Sequence, residues 1–229
     1  MRIPTITALL TASVLLGWTG TATASAQQGC ADLGGAVDTQ QMCRGHVANS
    51  TYTLDFSYPV DYPDEQALTG YLAQTRDGFV NVAEMPGSRN LPYELDAAAT
   101  PYRTGGTQSV VFKIFQDVGG AHPQTWYKAF NYDLGKRAPI TFDTLFKPDS
   151  KPVDVIYPIV EQELRKQSGL DEAVLPGQGL DPAKYQNFAI TDDSVIFFFG
   201  QGELLPEAAG AIEAAVPRAA LAAELASPV

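Results

Sequence analysis

Imidazole, thiol and positive charge are all scarce in this chain. Its 229 residues hold two histidines and two cysteines, and 26 acidic side chains outnumber 15 basic ones for a formal net charge of −11. No basic cluster is longer than Lys136-Arg137. Nucleic acid is therefore excluded as a partner, because its phosphates demand Lys and Arg, and an anionic bilayer repels the chain for the same Coulombic reason. Several chemical signatures are missing as well. There is no H-E-x-x-H, no pair of C-x-x-C motifs and no EF-hand loop, so a metal has no anchor. Gly177-Gln178-Gly179 and Gly200-Gln201-Gly202 lack the third glycine of a dinucleotide fingerprint, and no serine lies in G-x-S-x-G. No cofactor is expected.

What is present suffices to fold. With 45% hydrophobic and 18% charged residues, the chain lies far from the composition of disordered proteins. Arg2 precedes an apolar run from Ile3 to Trp18 that ends in Ala22-Thr23-Ala24-Ser25-Ala26. Ala24 and Ala26 supply the small residues a signal peptidase needs, so residues 1–26 read as an export leader cleaved after Ala26. No later segment offers the roughly twenty apolar residues of a membrane span, so the expected product is secreted, possibly cell-wall associated, and without a transmembrane anchor.

Both cysteines, Cys30 and Cys43, fall just inside the mature chain. Export places them where oxidation is allowed, and a disulfide is the natural reading. Closing that loop is worth about 3 kcal/mol in the chain-entropy model. The rival readings are a reactive thiol or a metal ligand, with His46 three residues beyond Cys43. They face the absence of a fourth ligand and the oxidation of an exported thiolate.

Thr51 to Tyr58 alternates strictly, with Tyr52, Leu54, Phe56 and Tyr58 on one side and Thr51, Thr53, Asp55 and Ser57 on the other, which predicts a half-buried strand. From Asp64, the spacing of Leu68, Tyr71, Leu72, Thr75, Phe79 and Val82 predicts a long amphipathic helix that ends at Met85-Pro86-Gly87-Ser88. Three strands follow, Tyr93–Tyr102, Ser109–Val118 and Thr125–Tyr132, joined by Gly105-Gly106 and Gly119-Gly120 as an antiparallel meander; the middle one is apolar on both faces. Val153, Ile156, Tyr157, Val160 and Leu164 return to helical spacing, and Pro158 inside this run costs about 3 kcal/mol unless the helix begins near Tyr157, which would place it in the first turn. Asp181-Pro182 resembles a helix entry. Strands are expected at 188–190, 195–199 and 211–216, and Arg218–Ala226 as a short Ala-rich helix. The fold class is α+β, an antiparallel sheet with helices packed mainly on one face.

Two histidines shorten the search for a catalytic base. His122 is preferred, since it sits in a turn between apolar strands; the structural alternative is that Gly119, Gly120 and Pro123 simply build that turn. A hydrolase would pair it with Ser109 or Ser194 as nucleophile and Asp117 to orient the ring, although each serine also reads as a turn or sheet hydroxyl.

Tyr62-Pro63-Asp64, Ala73-Gln74-Thr75-Arg76-Asp77, Gly119-Gly120-Ala121-His122-Pro123, Tyr127-Lys128-Ala129-Phe130, Tyr185-Gln186-Asn187-Phe188-Ala189 and Glu203-Leu204-Leu205-Pro206-Glu207 occur together. With them, nearly the whole mature chain resembles the mycobacterial secreted immunogenic protein family, the MPB/MPT sixty-four antigens. The second half is more distantly similar to the extracellular domain of the anti-sigma factor RsiV. The resemblance implies a secreted or cell-surface α+β protein, β-grasp-like in part, and some relatives are described as carboxylester hydrolases acting on short acyl chains. The expected organisation is a single mature domain over 27–229, with 27–138 as the helix-and-meander half and 139–229 as the RsiV-like half. The expected function is a non-enzymatic module that binds an extracellular protein, glycan or envelope ligand; the alternative is a secreted esterase using His122.

Overall fold

The computed structural model describes residues 21–169 and 176–226. The apolar leader run of Ile3–Trp18 lies outside them, and the first helix, α1 (Thr21–Asp32), runs through Ala26. The disulfide Cys30–Cys43 forms, with Cα atoms 5.7 Å apart. It ties α1 to β2 (Met42–Ala48), which pairs on its outer side with the short β1 (Ala36–Val37).

Alternation builds β3 (Tyr52–Pro59) as expected: Leu54, Phe56 and Tyr58 are buried. The chain then enters α2 (Glu65–Ala83), where the Asp64 side chain accepts from the Ala67 N–H and satisfies one of the free donors of the first turn. Leu68, Leu72, Phe79 and Ala83 are its buried face. At about 1.5 Å per residue, this helix carries the chain back along the sheet. The next strand, β4 (Tyr93–Arg103), therefore runs parallel to β3. A helix crossover is what a parallel pair requires, so the larger sheet holds one parallel junction among antiparallel neighbours. β5 (Thr107–Asp117) and β6 (Gln124–Asp133) complete the expected meander, and β7 (Ala138–Pro139) closes a seven-stranded sheet in sequential order β1 to β7.

After α3 (Phe142–Leu145), α4 (Pro152–Ser168) and α5 (Pro176–Gly179), a single turn of 3-10 helix spans Pro182–Tyr185, with Asp181 capping it. A second, three-stranded antiparallel sheet follows in the order β10-β9-β8, from β8 (Phe188–Ile190), β9 (Ser194–Phe199) and β10 (Ile212–Pro217). The expected single sheet is thus two sheets, each with helices on one face. Val110, Phe112 and Ile114 of β5 pack toward α2, whereas Val111 and Tyr127 pack on Ala189 and Phe198 of the small sheet. On the far side of the small sheet, Ile156, Val160 and Leu164 of α4 cover Phe197, Phe199 and Val216.

Two expectations are corrected here. α4 begins at Pro152, not near Tyr157, and carries Pro158 inside it. Pro158 lies on the exposed side, and the four aliphatic side chains buried on the opposite face outweigh the lost hydrogen bond of about 3 kcal/mol. The final helix, α6 (Arg218–Leu221), is shorter than the Ala-rich run, because Leu225 turns back to bridge Phe146 in extended pairing.

Candidate active site

The four residues singled out for a hydrolase are not brought together. His122 is exposed in the β5–β6 turn and makes no hydrogen bond among the described residues. Nearby, Asp117 spends Oδ1 on the Gly119 N–H at 2.8 Å. Gly119, with φ 68°, is the residue of this turn that needs glycine. Ser109 lies at the other end of the hairpin, where it pairs with Asn131 while Gln116 pairs with Gln124 beside the turn. Seven strand residues at about 3.4 Å each separate the two ends. Ser109 is fully buried, and its Oγ accepts from the Ile190 N–H at 3.1 Å, clamping the small sheet onto the large one. Ser194 opens β9, its N–H donating to Thr191 Oγ1 at 3.0 Å inside the tight 191–194 turn.

A different imidazole finds a carboxylate. The antiparallel register of β2 and β3 places His46 opposite Asp55 and Arg44 opposite Ser57. All four point away from α2, to the part of the large sheet that the small sheet leaves uncovered. His46 Nδ1 donates to Asp55 Oδ1 at 2.7 Å. In the neutral ring this leaves Nε2 as the acceptor. Ser57 is the diagonal neighbour of His46 on that face, and no hydrogen bond joins the two among the described residues. Parallel pairing then sets Asp96 of β4 beside Asp55 and Ala98 beside Ser57. His46, Asp55, Ser57, Asp96 and Arg44 line one shallow concavity of about 520 Å³.

The electrostatics follow from this layout. Loss of hydration, and then the charge of Asp55, push the Asp96 carboxyl above the usual carboxylate range. The opposite happens to Asp38, whose hydrogen bond with Arg44 and the backbone N–H of Met42 hold it below that range. Arg44 Nε donates to Asp38 Oδ2 at 2.8 Å. Because Asp38 occupies Arg44, the Asp55 carboxylate is left to His46.

Sequence reading placed Asp55 and Ser57 on one polar strand face but missed their partner strand. Gly45 hides β2, since glycine inside a strand lowers its propensity. The structure shows its use: a Cβ there would sit 2.2 Å from the Phe56 ring, which lies over the β2 backbone. A second groove, of about 500 Å³ between Phe142, Lys147, Lys151, Asp154 and Leu180, holds no histidine or cysteine. Ser150, the one serine among its described lining residues, donates to the Lys147 carbonyl at 2.7 Å.

An α2-covered seven-stranded sheet stacked on a small sheet and α4 defines an α+β class that other chains share. Residues 143–219 match a family described as a protein of unknown function, DUF3298. The crystal structure of a DUF3298 member from Bacteroides fragilis superposes with a TM-score of 0.56 at 15% identity, covering 84% of this chain and 95% of that one, which is a likeness of fold alone. The particular kinship lies in sequence. Esterase Rv3036c of Mycobacterium tuberculosis is 56% identical over 96% of this chain and 98% of its own length. Immunogenic protein MPT64 of the same species is 47% identical over 99% of this chain and 100% of its own. The chain belongs to the family of the mycobacterial immunogenic proteins MPB64 and MPT64. No helix among the described residues is long and apolar enough to cross a membrane.

Proposed function

We propose that this chain is an exported, serine-type carboxylic ester hydrolase working on the uncovered face of the larger sheet. The observation that carries the reading is the 2.7 Å contact of His46 with Asp55, diagonal to Ser57 on the same face. A full-length relative named as an esterase supports the reaction class. The leader and the disulfide support export.

His46 Nε2 takes the Ser57 proton as Oγ attacks the ester carbonyl carbon, and the carbonyl π electrons move onto oxygen. Asp55 holds the ring through Nδ1 and stabilises the imidazolium that forms. Collapse of the tetrahedral adduct expels the alkoxide, which takes the proton back from His46. Water, deprotonated by the same ring, then attacks the acyl carbon; the bond to Ser57 Oγ breaks, Oγ takes the proton back from His46, and the carboxylic acid leaves. Only side chains and water take part.

A second reading keeps the non-enzymatic binding module. It is favoured by the openness of the face, on which the His46 and Asp55 side chains are 64% and 49% exposed, a surface that an extracellular protein or glycan can lie across. The kinetics of a short p-nitrophenyl ester separate the readings. The hydrolase account expects His46→Ala to lose at least about a hundredfold in kcat/KM, the usual scale of general-base help, with His122→Ala unchanged. A loss confined to His122→Ala transfers the role to His122, with Asp117 beside it and Ser109 or Ser194 as nucleophile. No turnover by the wild type, together with saturable binding of a protein or glycan, establishes the binding module instead.

A further inference from the structure

Asp55 stands between two neighbours of opposite character. On one side its register partner is His46; on the other, across the parallel β3–β4 junction, it is Asp96. The row across the sheet therefore reads imidazole, carboxylate, carboxylate, and continues to Phe115 of β5 and Thr125 of β6. Adjacent strands lie about 4.8 Å apart, so Asp96 sits within about 10 Å of the imidazole. We propose that Asp96 is a positioning residue for the hydrolysis described above: its charge keeps Asp55 turned toward β2, fixes the His46 ring through Nδ1 and strengthens Nε2 as a base. The inference rests on that reading of the site.

Repulsion between like charges gives Asp55 a preferred direction. It takes the His46 side, at 2.7 Å, and no hydrogen bond joins Asp55 to Asp96 among the described residues. Lost hydration, and then the charge of Asp55, raise the Asp96 carboxyl above its ordinary range. The remaining charged groups on this face are accounted for. Arg44 on β2 is engaged by Asp38, and Asp117 on β5 is tied to the Gly119 N–H. Glu94 lies two residues before Asp96 on the same face of β4, opposite Asp117, and Lys113 lies one row away opposite Ala98. Of these neighbours, Asp96 is the one that stands in the row beside Asp55.

Having two histidines makes the test direct, because His46 and His122 give separate proton resonances and the second, on the β5–β6 turn outside the row, is an internal reference. In the intact protein at low salt, Asp96→Asn is expected to lower the His46 titration midpoint by a few tenths to one pH unit, since removing a nearby anion disfavours the imidazolium. The His122 midpoint stays in place. The acid limb of kcat/KM for a p-nitrophenyl ester moves down with His46, kcat falls more than KM changes, and Asp96→Glu restores both. A folded Asp96→Asn protein with an unmoved His46 midpoint overturns the proposal. If the wild type hydrolyses no ester, the catalytic reading fails, and the titration still decides whether Asp96 acts on His46.

Discussion

The two sheets of this molecule are treated differently by the rest of the chain. The three-stranded sheet is closed on both sides: Phe197 and Phe199 lie under α4, and Phe198 lies against Tyr127 of the large sheet. The seven-stranded sheet is closed on one side by α2, but its other side is covered only toward β5, β6 and the end of β4, where Tyr102 meets Phe198. At β2, β3 and the start of β4 it presents His46, Asp55, Ser57 and Asp96 to solvent. Stability is thus concentrated where both faces are buried, and chemistry where one face is left open on a rigid support.

Substitutions in the small sheet should therefore cost stability without touching chemistry. Phe197 is fully buried and packs edge-on against Tyr185. Phe197→Ala is expected to destabilise by about 3–5 kcal/mol through lost transfer energy and a residual cavity, read as a lower denaturant midpoint. The fraction that remains folded keeps its kcat. A fall in kcat without loss of stability would break the contrast between the sheets.

A smaller effect sharpens it on the α2 side of the large sheet. Burial raises the Glu65 carboxyl above its ordinary value, and Glu65 Oε1 has no hydrogen-bond partner among the described residues. An acid with a raised folded-state value contributes stability below its unfolded value near 4.5 and loses it as pH rises through the folded value. Glu65→Gln is thus expected to raise Tm at pH 7 and to lose that advantage as pH falls below about 4. An advantage that persists in acid would contradict a charge-desolvation origin.

How far the molecule was legible in its sequence follows the same division. Closed regions announce themselves, because burial enforces period: β3, α2, the meander and the Phe197-Phe198-Phe199 strand stand near the expected bounds. Pro158 misled the start of α4, since a local backbone cost yielded to tertiary burial of Ile156, Val160 and Leu164. The candidate site was half visible. Asp55 and Ser57 were on one face, but their meeting with His46 depends on the β2–β3 register, which no local pattern of Met42–Ala48 reveals with Gly45 in its middle. His122 drew attention as a turn residue beside glycines, yet that turn is separated from Ser109 by the length of the hairpin.

Acyl transfer is assigned to Ser57 on the open face of the large sheet and not to the clamp between the sheets. Reaction of the folded protein with a fluorophosphonate, followed by peptide mapping, decides between the two places. The adduct is predicted on Ser57 and is predicted to disappear in His46→Ala. An adduct on Ser109 or Ser194, or none on a protein that turns over esters, would contradict it.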